Sequence, residues 1–228
     1  MKNGKRTDTV SAPALRVKGA EAVRLLAGLY PDAVCSLESG GDPWRLLVMA
    51  RLSAQCTDER VNIVSRDLFA ALPNAEAMAA APLSQIEEIV KPCGLFRTKA
   101  KSIKEASEIL LRDYGGRVPD TMEELLALPG VGRKIANLLL GDVFGKGGIV
   151  ADTHCMRICG RLGFYPEDLR DPLKVERILD PIIEKTDQSD FCHRLVHFGR
   201  EYCTARSPVC DKDRNSCPLA GVCEHMEK

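Results

Sequence analysis

Helix start and stop signals recur along this chain while period-two strand alternation is almost absent, so the sequence reads as all-α. Asp42-Pro43 puts an acidic N-cap before a proline at the first helical position, where a missing amide is harmless. Trp44, Leu47, Val48 and Arg51 then follow at helical spacing. Ser84 with Glu87 and Thr121 with Glu124 have the spacing of the capping box. Asp171-Pro172 repeats the first signal ahead of an apolar stripe of Val175, Ile178, Leu179 and Ile182. Gly115-Gly116 closes the helix that carries Ile103, Ala106, Ile109 and Leu110. About ten helices are expected without a long linker, and the lack of a fixed-period repeat argues against a solenoid.

Composition narrows the class. The 228 residues suffice for one large domain or two small lobes. No apolar run approaches the roughly 18 to 20 residues that span a bilayer. Met1 to Val10 is polar and basic with no apolar core, so no secretory signal is expected and a cytoplasmic location follows. The ten cysteines are then better read as thiols or metal ligands than as disulfides. Residues 1–16 read as a flexible leader, because they mix charge with small residues.

The 32 basic and 32 acidic residues cancel, which argues against a protein that coats nucleic acid nonspecifically. Locally, Arg97, Lys99, Lys101 and Lys104 form a basic run, and Arg194, Arg200, Arg206, Lys212 and Arg214 thicken the C-terminal part. Such runs serve either as phosphate-contacting patches or as ordinary solvated helix faces.

The stretch from Leu125 to Asn137, LLALPGVGRKIAN, predicts a helix ending near Leu128, a very short turn, and a second helix from about Arg133. Gly130 and Gly132 are expected to supply positive φ and close backbone approach. Amides at the start of the second helix would face outward, where they and the helix dipole favour an anion such as a phosphate. A P-loop is excluded, because neither a preceding strand nor its glycine-lysine run is present. The glycines alone fit an ordinary αα-hairpin equally well. Lys134, within the first turn beside Arg133, is expected to have a lowered pKa and to act as a nucleophilic amine. Downstream, GGIVADTH is a brief extended segment that brings Asp152 to the next helix start, where an N-cap aspartate is the ordinary reading.

Four cysteines near the C-terminus follow the pattern Cys203-x6-Cys210-x6-Cys217-x5-Cys223, in a polar segment too poor in apolar groups to fold on a core of its own. Four thiolates ligate either Zn²⁺ or a [4Fe-4S] cube, and the lack of a close two-cysteine knuckle favours the cube. Cys35, Cys56, Cys93, Cys155, Cys159 and Cys192 read as small apolar residues. His193 and His197 share a helix face, but ordinary packing is favoured over metal binding there.

The segments LPGVGRKIANLLLGDVFG and VADTHCMRICGRLGF resemble the endonuclease III branch of the helix-hairpin-helix DNA glycosylases. LSAQCTD at residues 52–58, GLFRTKA at 94–100, and Cys192-His193 through Gly199-Arg200 resemble the family at corresponding places. The resemblance covers roughly residues 20 to 225.

That resemblance implies a two-lobed fold, with a six-helix barrel-like domain at 41–164 and its helix-hairpin-helix at about 121–144. The second domain, 17–40 with 165–228, would be formed by both chain ends and finish in a [4Fe-4S] loop ligated by Cys203, Cys210, Cys217 and Cys223. DNA would lie in the cleft between them. Lys134 would be the catalytic amine and Asp152 the catalytic carboxylate, with Gly130, Gly132 and Arg133 meeting DNA. Gln55 would fill the gap left by an extruded base, and Leu95 would be the apolar wedge on the opposite strand. Without the resemblance Leu95 reads as a core residue.

The implied function is a bifunctional glycosylase and lyase of base excision repair. It would be a nucleoid-associated, bacterial-type monomer acting on double-stranded DNA that holds a damaged, oxidised pyrimidine or an abasic site. A monovalent cation at the hairpin is compatible with it. A thymine or uracil mismatch glycosylase and a noncatalytic DNA-binding module are the alternatives. The family's pattern places two residues between the second and third cysteines where this chain has six, so Asp211-Lys212-Asp213-Arg214 looks like an insertion.

Overall fold

The computed structural model describes residues 12–225, and no strand occurs among them. The helices are α1 (Ala12–Leu29), α2 (Pro43–Leu52), α3 (Asp58–Ala71), α4 (Ala75–Ala80), α5 (Leu83–Val90), α6 (Phe96–Tyr114), α7 (Met122–Ala127), α8 (Arg133–Asp142), α9 (Thr153–Arg161), α10 (Pro172–Leu179) and α11 (Gln188–Glu201). The all-α expectation is met. Of the expected leader, residues 1–11 lie outside the described residues, and 12–16 open α1 instead.

The chain divides into two compact units, one of residues 34–150 and one that joins the stretch before it to everything from Ala151 onward. In the first unit α6 lies against α2, α4 and α5, and α2 also packs on α3 and α8. Ala100, Ile103, Ala106 and Leu110 of α6 are buried together with Leu52, Leu68, Met78 and Ile86. Asp42 caps α2 by accepting from the Arg45 amide at 2.9 Å, while the Trp44 indole nitrogen donates to Ser107 Oγ at 3.1 Å. Thr121 caps α7, and its hydroxyl donates to the Glu124 carboxylate at 2.6 Å. Ser84 does not cap α5. That helix starts at Leu83, two residues earlier than a Ser84 cap would place it, behind Pro82 with its fixed φ.

The second unit is built on α11, which packs against α1 and α9. Gly199 makes the α9 contact possible, since a Cβ there would lie 2.4 Å from His154 Nδ1 and 2.8 Å from Arg157 Nη2. This packing assigns α9 to the unit of the chain ends. The divisions consequently fall at 33/34 and 150/151, not at the expected 40/41 and 164/165. Lys18 of α1 donates to the Leu162 carbonyl at 2.9 Å and pairs with Glu224, which ties the first helix to the end of α9 and to the tail of the cysteine segment. That segment has little regular structure beyond single 3-10 turns at Val209–Asp211, Arg214–Ser216 and Ala220–Val222.

Candidate active site

The hairpin lies where the sequence puts it. Leu128 ends α7, the Val131 amide donates to the Leu128 carbonyl at 3.1 Å, and α8 begins at Arg133. Gly130 has φ +78°. A Cβ there would lie 2.5 Å from Arg51 Nε and 2.9 Å from Ser102 Cβ, so the turn rests directly on α2 and α6 side chains. Arg51 Nε donates to Ser102 Oγ at 2.8 Å, and Ser102 Oγ to the Lys99 carbonyl at 2.9 Å.

The expectation of positive φ fails at Gly132. It is the N-cap of α8 at φ −101° and ψ 175°, with no atom within 4 Å of its Cβ position. The N-cap position calls for extended backbone, which any residue can adopt. Gly132 has no side chain with which to cap α8, and the amides at a helix start favour an anion. Lys134 is the second residue of that turn, and it is exposed.

The buried face of α8 carries Ala136, Asn137, Leu139 and Leu140. Asn137 Nδ2 donates to the Ile149 carbonyl at 3.0 Å, and a Cβ on Gly148 would come within 2.3 Å of the Asn137 carbonyl oxygen. The extended segment 147–150 is thus held against α8. It leads into Asp152, the half-buried N-cap of α9, whose Oδ1 accepts from the His154 amide at 2.9 Å and the Cys155 amide at 2.8 Å.

Gln55 and Leu95 are the two non-glycine residues with positive φ among those described, at 55° and 47°. Both are exposed. Leu95 is 58% exposed, which corrects the core reading that its chemistry alone suggests. Left-handed backbone at a γ-branched residue on a surface turn costs about 1 kcal/mol or more and persists only where the surroundings impose it.

The basic patches are thinner than the sequence suggests. Lys99 is fully buried, Lys101 and Lys104 pair with Glu105 and Glu108 at 3.7 and 3.1 Å, and Arg194 is buried against Asp190 and the Tyr30 carbonyl. Helical i,i+4 spacing puts carboxylates beside Lys101, Lys104 and Arg194, and burial removes Lys99 and Arg194 from the surface.

In the unit of the chain ends, Cys203, Cys210, Cys217 and Cys223 line one small cavity, with Leu162, Phe198 and Leu219 among its apolar walls. Burial pushes the Cys223 thiol up to about 11, and the sulfurs of Cys217, Cys203 and Cys210 push it the same way. Two α9 arginines reach the same place. Arg157 donates to the Cys203 carbonyl at 2.9 Å, and Arg161 to Cys203 Sγ at 3.1 Å and the Thr204 carbonyl at 2.8 Å. The sequence reading missed both, although their i,i+4 spacing in THCMRICGR marks one helix face. It missed Arg51, Ser102 and Asn137 as well, which carry no motif of their own.

Residues 48–185 match the model of the HhH-GPD superfamily, described as base excision DNA repair proteins. The chain is 42% identical to endonuclease III of Synechocystis over 90% of its length and 91% of that protein's. Identity to endonuclease III of Bacillus subtilis is 40%, over 89% and 90%. A solved structure of a trapped endonuclease III–DNA covalent intermediate is 37% identical and superposes with a TM-score of 0.83, covering 96% of this chain and 98% of that one. The chain therefore belongs to the endonuclease III branch of the HhH-GPD superfamily, and is a base excision repair enzyme of the DNA glycosylase/AP lyase class.

Proposed function

We propose that the chain removes an oxidised pyrimidine from duplex DNA and then nicks the abasic strand through a Schiff base on Lys134. The observation that carries this reading is an exposed lysine on the first turn of α8, directly behind the hairpin and its glycine N-cap. Amides at a helix start bind a phosphate oxygen, and fixing one phosphate positions the adjoining sugar. Gly130, Gly132 and Arg133 contribute that contact, with which a monovalent cation is compatible.

A base stacked in a duplex must first be extruded, at a cost of a few kcal/mol that is smallest for damaged or mispaired bases. Gln55 fills the vacated space and Leu95 wedges the opposite strand. As the glycosidic bond breaks, its electron pair leaves with the base, and the Asp152 carboxylate stabilises the positive charge that develops on the anomeric carbon. Lys134 Nζ, as the free amine, bonds to that carbon and gives up one proton; the sugar ring then opens, its oxygen taking up a proton, and leaves an iminium that keeps the other. The iminium acidifies the neighbouring C–H; loss of that proton expels the 3′ phosphate and cleaves the strand. A lysine at this position, rather than a group that activates water, favours the bifunctional reaction over simple base removal.

The four cysteines suit a [4Fe-4S] cluster. All four line one cavity, and the burial and neighbouring sulfurs that push the thiols of Cys210, Cys217 and Cys223 up would be offset by the charge of bound iron. The cluster would supply a cross-link for a segment without a core of its own, with Arg161 donating to the Cys203 sulfur. No described helix is long and apolar enough to cross a membrane.

Borohydride trapping tests the lyase step. Wild type should form a covalent adduct with duplex DNA holding one oxidised pyrimidine or one abasic site, and Lys134→Ala should form none. Absence of any adduct from wild type, or undiminished trapping by the variant, overturns the assignment. A panel of single-lesion duplexes that includes thymine and uracil opposite guanine decides the substrate.

A further inference from the structure

Lys99 is fully buried, and its ammonium donates to two backbone carbonyls, those of Leu52 at 2.8 Å and of Cys93 at 2.7 Å. Leu52 is the last residue of α2 and Cys93 the last of the 3-10 turn Lys91–Cys93. Both carbonyls thus belong to the set that a helix end leaves without a partner, at the pole that attracts a cation. Gln55 comes three residues after the first carbonyl, and Leu95 two residues after the second. These are the two strained, exposed, non-glycine positions described above. One buried charge therefore pins the entry to both turns from the same point on α6.

The placement is not what an ordinary core would choose. Burial pushes the Lys99 amine down and the thiols of Cys56 and Cys93 oppose this, so the ammonium is kept at a desolvation cost that an apolar side chain would avoid. The same helical turn reaches the hairpin, because the Lys99 carbonyl accepts from Ser102, which accepts from Arg51 beneath Gly130.

We propose that Lys99 is a positioning residue that holds the Gln55 and Leu95 turns, as a pair, in the conformations that enter the duplex during base extrusion. The proposal rests on the function assigned to those two residues above. It adds what keeps their strained backbones in place before DNA arrives: two turns far apart in sequence share one cation, so neither relaxes without losing a hydrogen bond to a buried charge. A positioning group of this kind acts on extrusion and leaves the amine chemistry alone.

Lys99→Met, which keeps the length and removes the charge, separates these steps. Excision of a damaged base from duplex DNA should fall by about tenfold or more. Borohydride trapping on a single-stranded abasic oligonucleotide, where nothing need be extruded, should stay within about twofold of wild type. Lys99→Arg, which restores a cation with several donors, should recover most of the duplex activity. Leu95→Ala should cost far less in the Lys99→Met background than in wild type, since the wedge is already misplaced there.

Equal losses on both substrates, an unchanged duplex rate, or fully additive costs with Leu95→Ala overturn the proposal. If Lys99→Met does not fold, Lys99→Gln, which retains amide N–H donors without the charge, takes its place in the same comparisons. Amide hydrogen exchange gives a readout independent of catalysis. Residues 53–57 and 94–96 should exchange faster together in the variant while the middle of α6 does not change, and exchange that is unchanged, or faster at only one turn, also overturns the proposal. A wild-type chain that forms no adduct would fail the lyase assignment, while the exchange result would still decide whether Lys99 holds the turns.

Discussion

The two hairpin glycines look alike in sequence and face different demands in the fold. Gly130 has φ +78° and a Cβ position crowded by Arg51 and Ser102, so Gly130→Ala should destabilise the chain by about 2 kcal/mol, the sum of left-handed strain and displaced contacts. Gly132 has extended backbone and open space, and Gly132→Ala should cost under about 1 kcal/mol. Urea unfolding of both variants checks the contrast, and equal effects would refute it. Thiol chemistry gives a second residue-scale prediction. Burial pushes Cys35 up to about 12, the Leu37 backbone opposes this and the Asp142 carboxylate adds to it. A raised thiol pKa means less thiolate, about one molecule in ten thousand at pH 8. Alkylation of Cys35 in the folded protein should therefore be far slower than in urea and rise about tenfold per pH unit; a rate matching the unfolded chain would refute this. Single residues were the least legible in sequence. Composition cannot tell a leucine exposed on a strained turn from one in a core, and the lysine in the GLFRTKA segment reads as surface charge although its ammonium is internal.

Helices were far more legible, because their ends depend on neighbours in sequence. Asp42, Thr121 and Asp171 cap the helices that follow them, and Gly115 closes α6 in the left-handed conformation at φ 59°. Ser84 failed as a cap because Pro82 already sets the backbone, a competition that a spacing rule does not weigh. The extended segment after α8 was recognised from its glycines and apolar run, but its anchor was not, since the Asn137 side chain meets a carbonyl twelve residues on. Asn137→Ala leaves the buried Ile149 carbonyl without this donor and should lower stability by about 1–3 kcal/mol. Limited proteolysis should then cut first within 145–151. A variant as stable and as resistant as wild type would show that the Gly148 contact alone suffices.

At the scale of the molecule, the all-α class and the return of the chain's end to its beginning followed from pattern and resemblance. The division between units did not, because it depends on α9 packing against α11, a long-range choice with no local signal. The C-terminal segment raises the same question of local against global cause. Asp211-Lys212-Asp213-Arg214 lengthens the span between the second and third cysteines. Asp213 there caps a short turn by accepting from the Asn215 amide at 3.0 Å and the Ser216 hydroxyl at 2.7 Å. If the four sulfurs are held by iron, this loop is an ornament on a closed cross-link. Shortening it changes closure entropy by only about 0.6 kcal/mol per halving of length, and loss of the cap costs about 1 kcal/mol at most, locally. Deleting residues 211–214 should leave a brown protein with its absorbance near about 400 nm, a melting temperature close to wild type and normal borohydride trapping. Cys223→Ser should lose the absorbance and a large part of the stability, since the segment around it has no core to fall back on. If the deletion bleaches the protein as thoroughly as the cysteine substitution does, the turn at Asp213 is part of the metal site's framework, and the longer span is a requirement of this chain rather than an insertion.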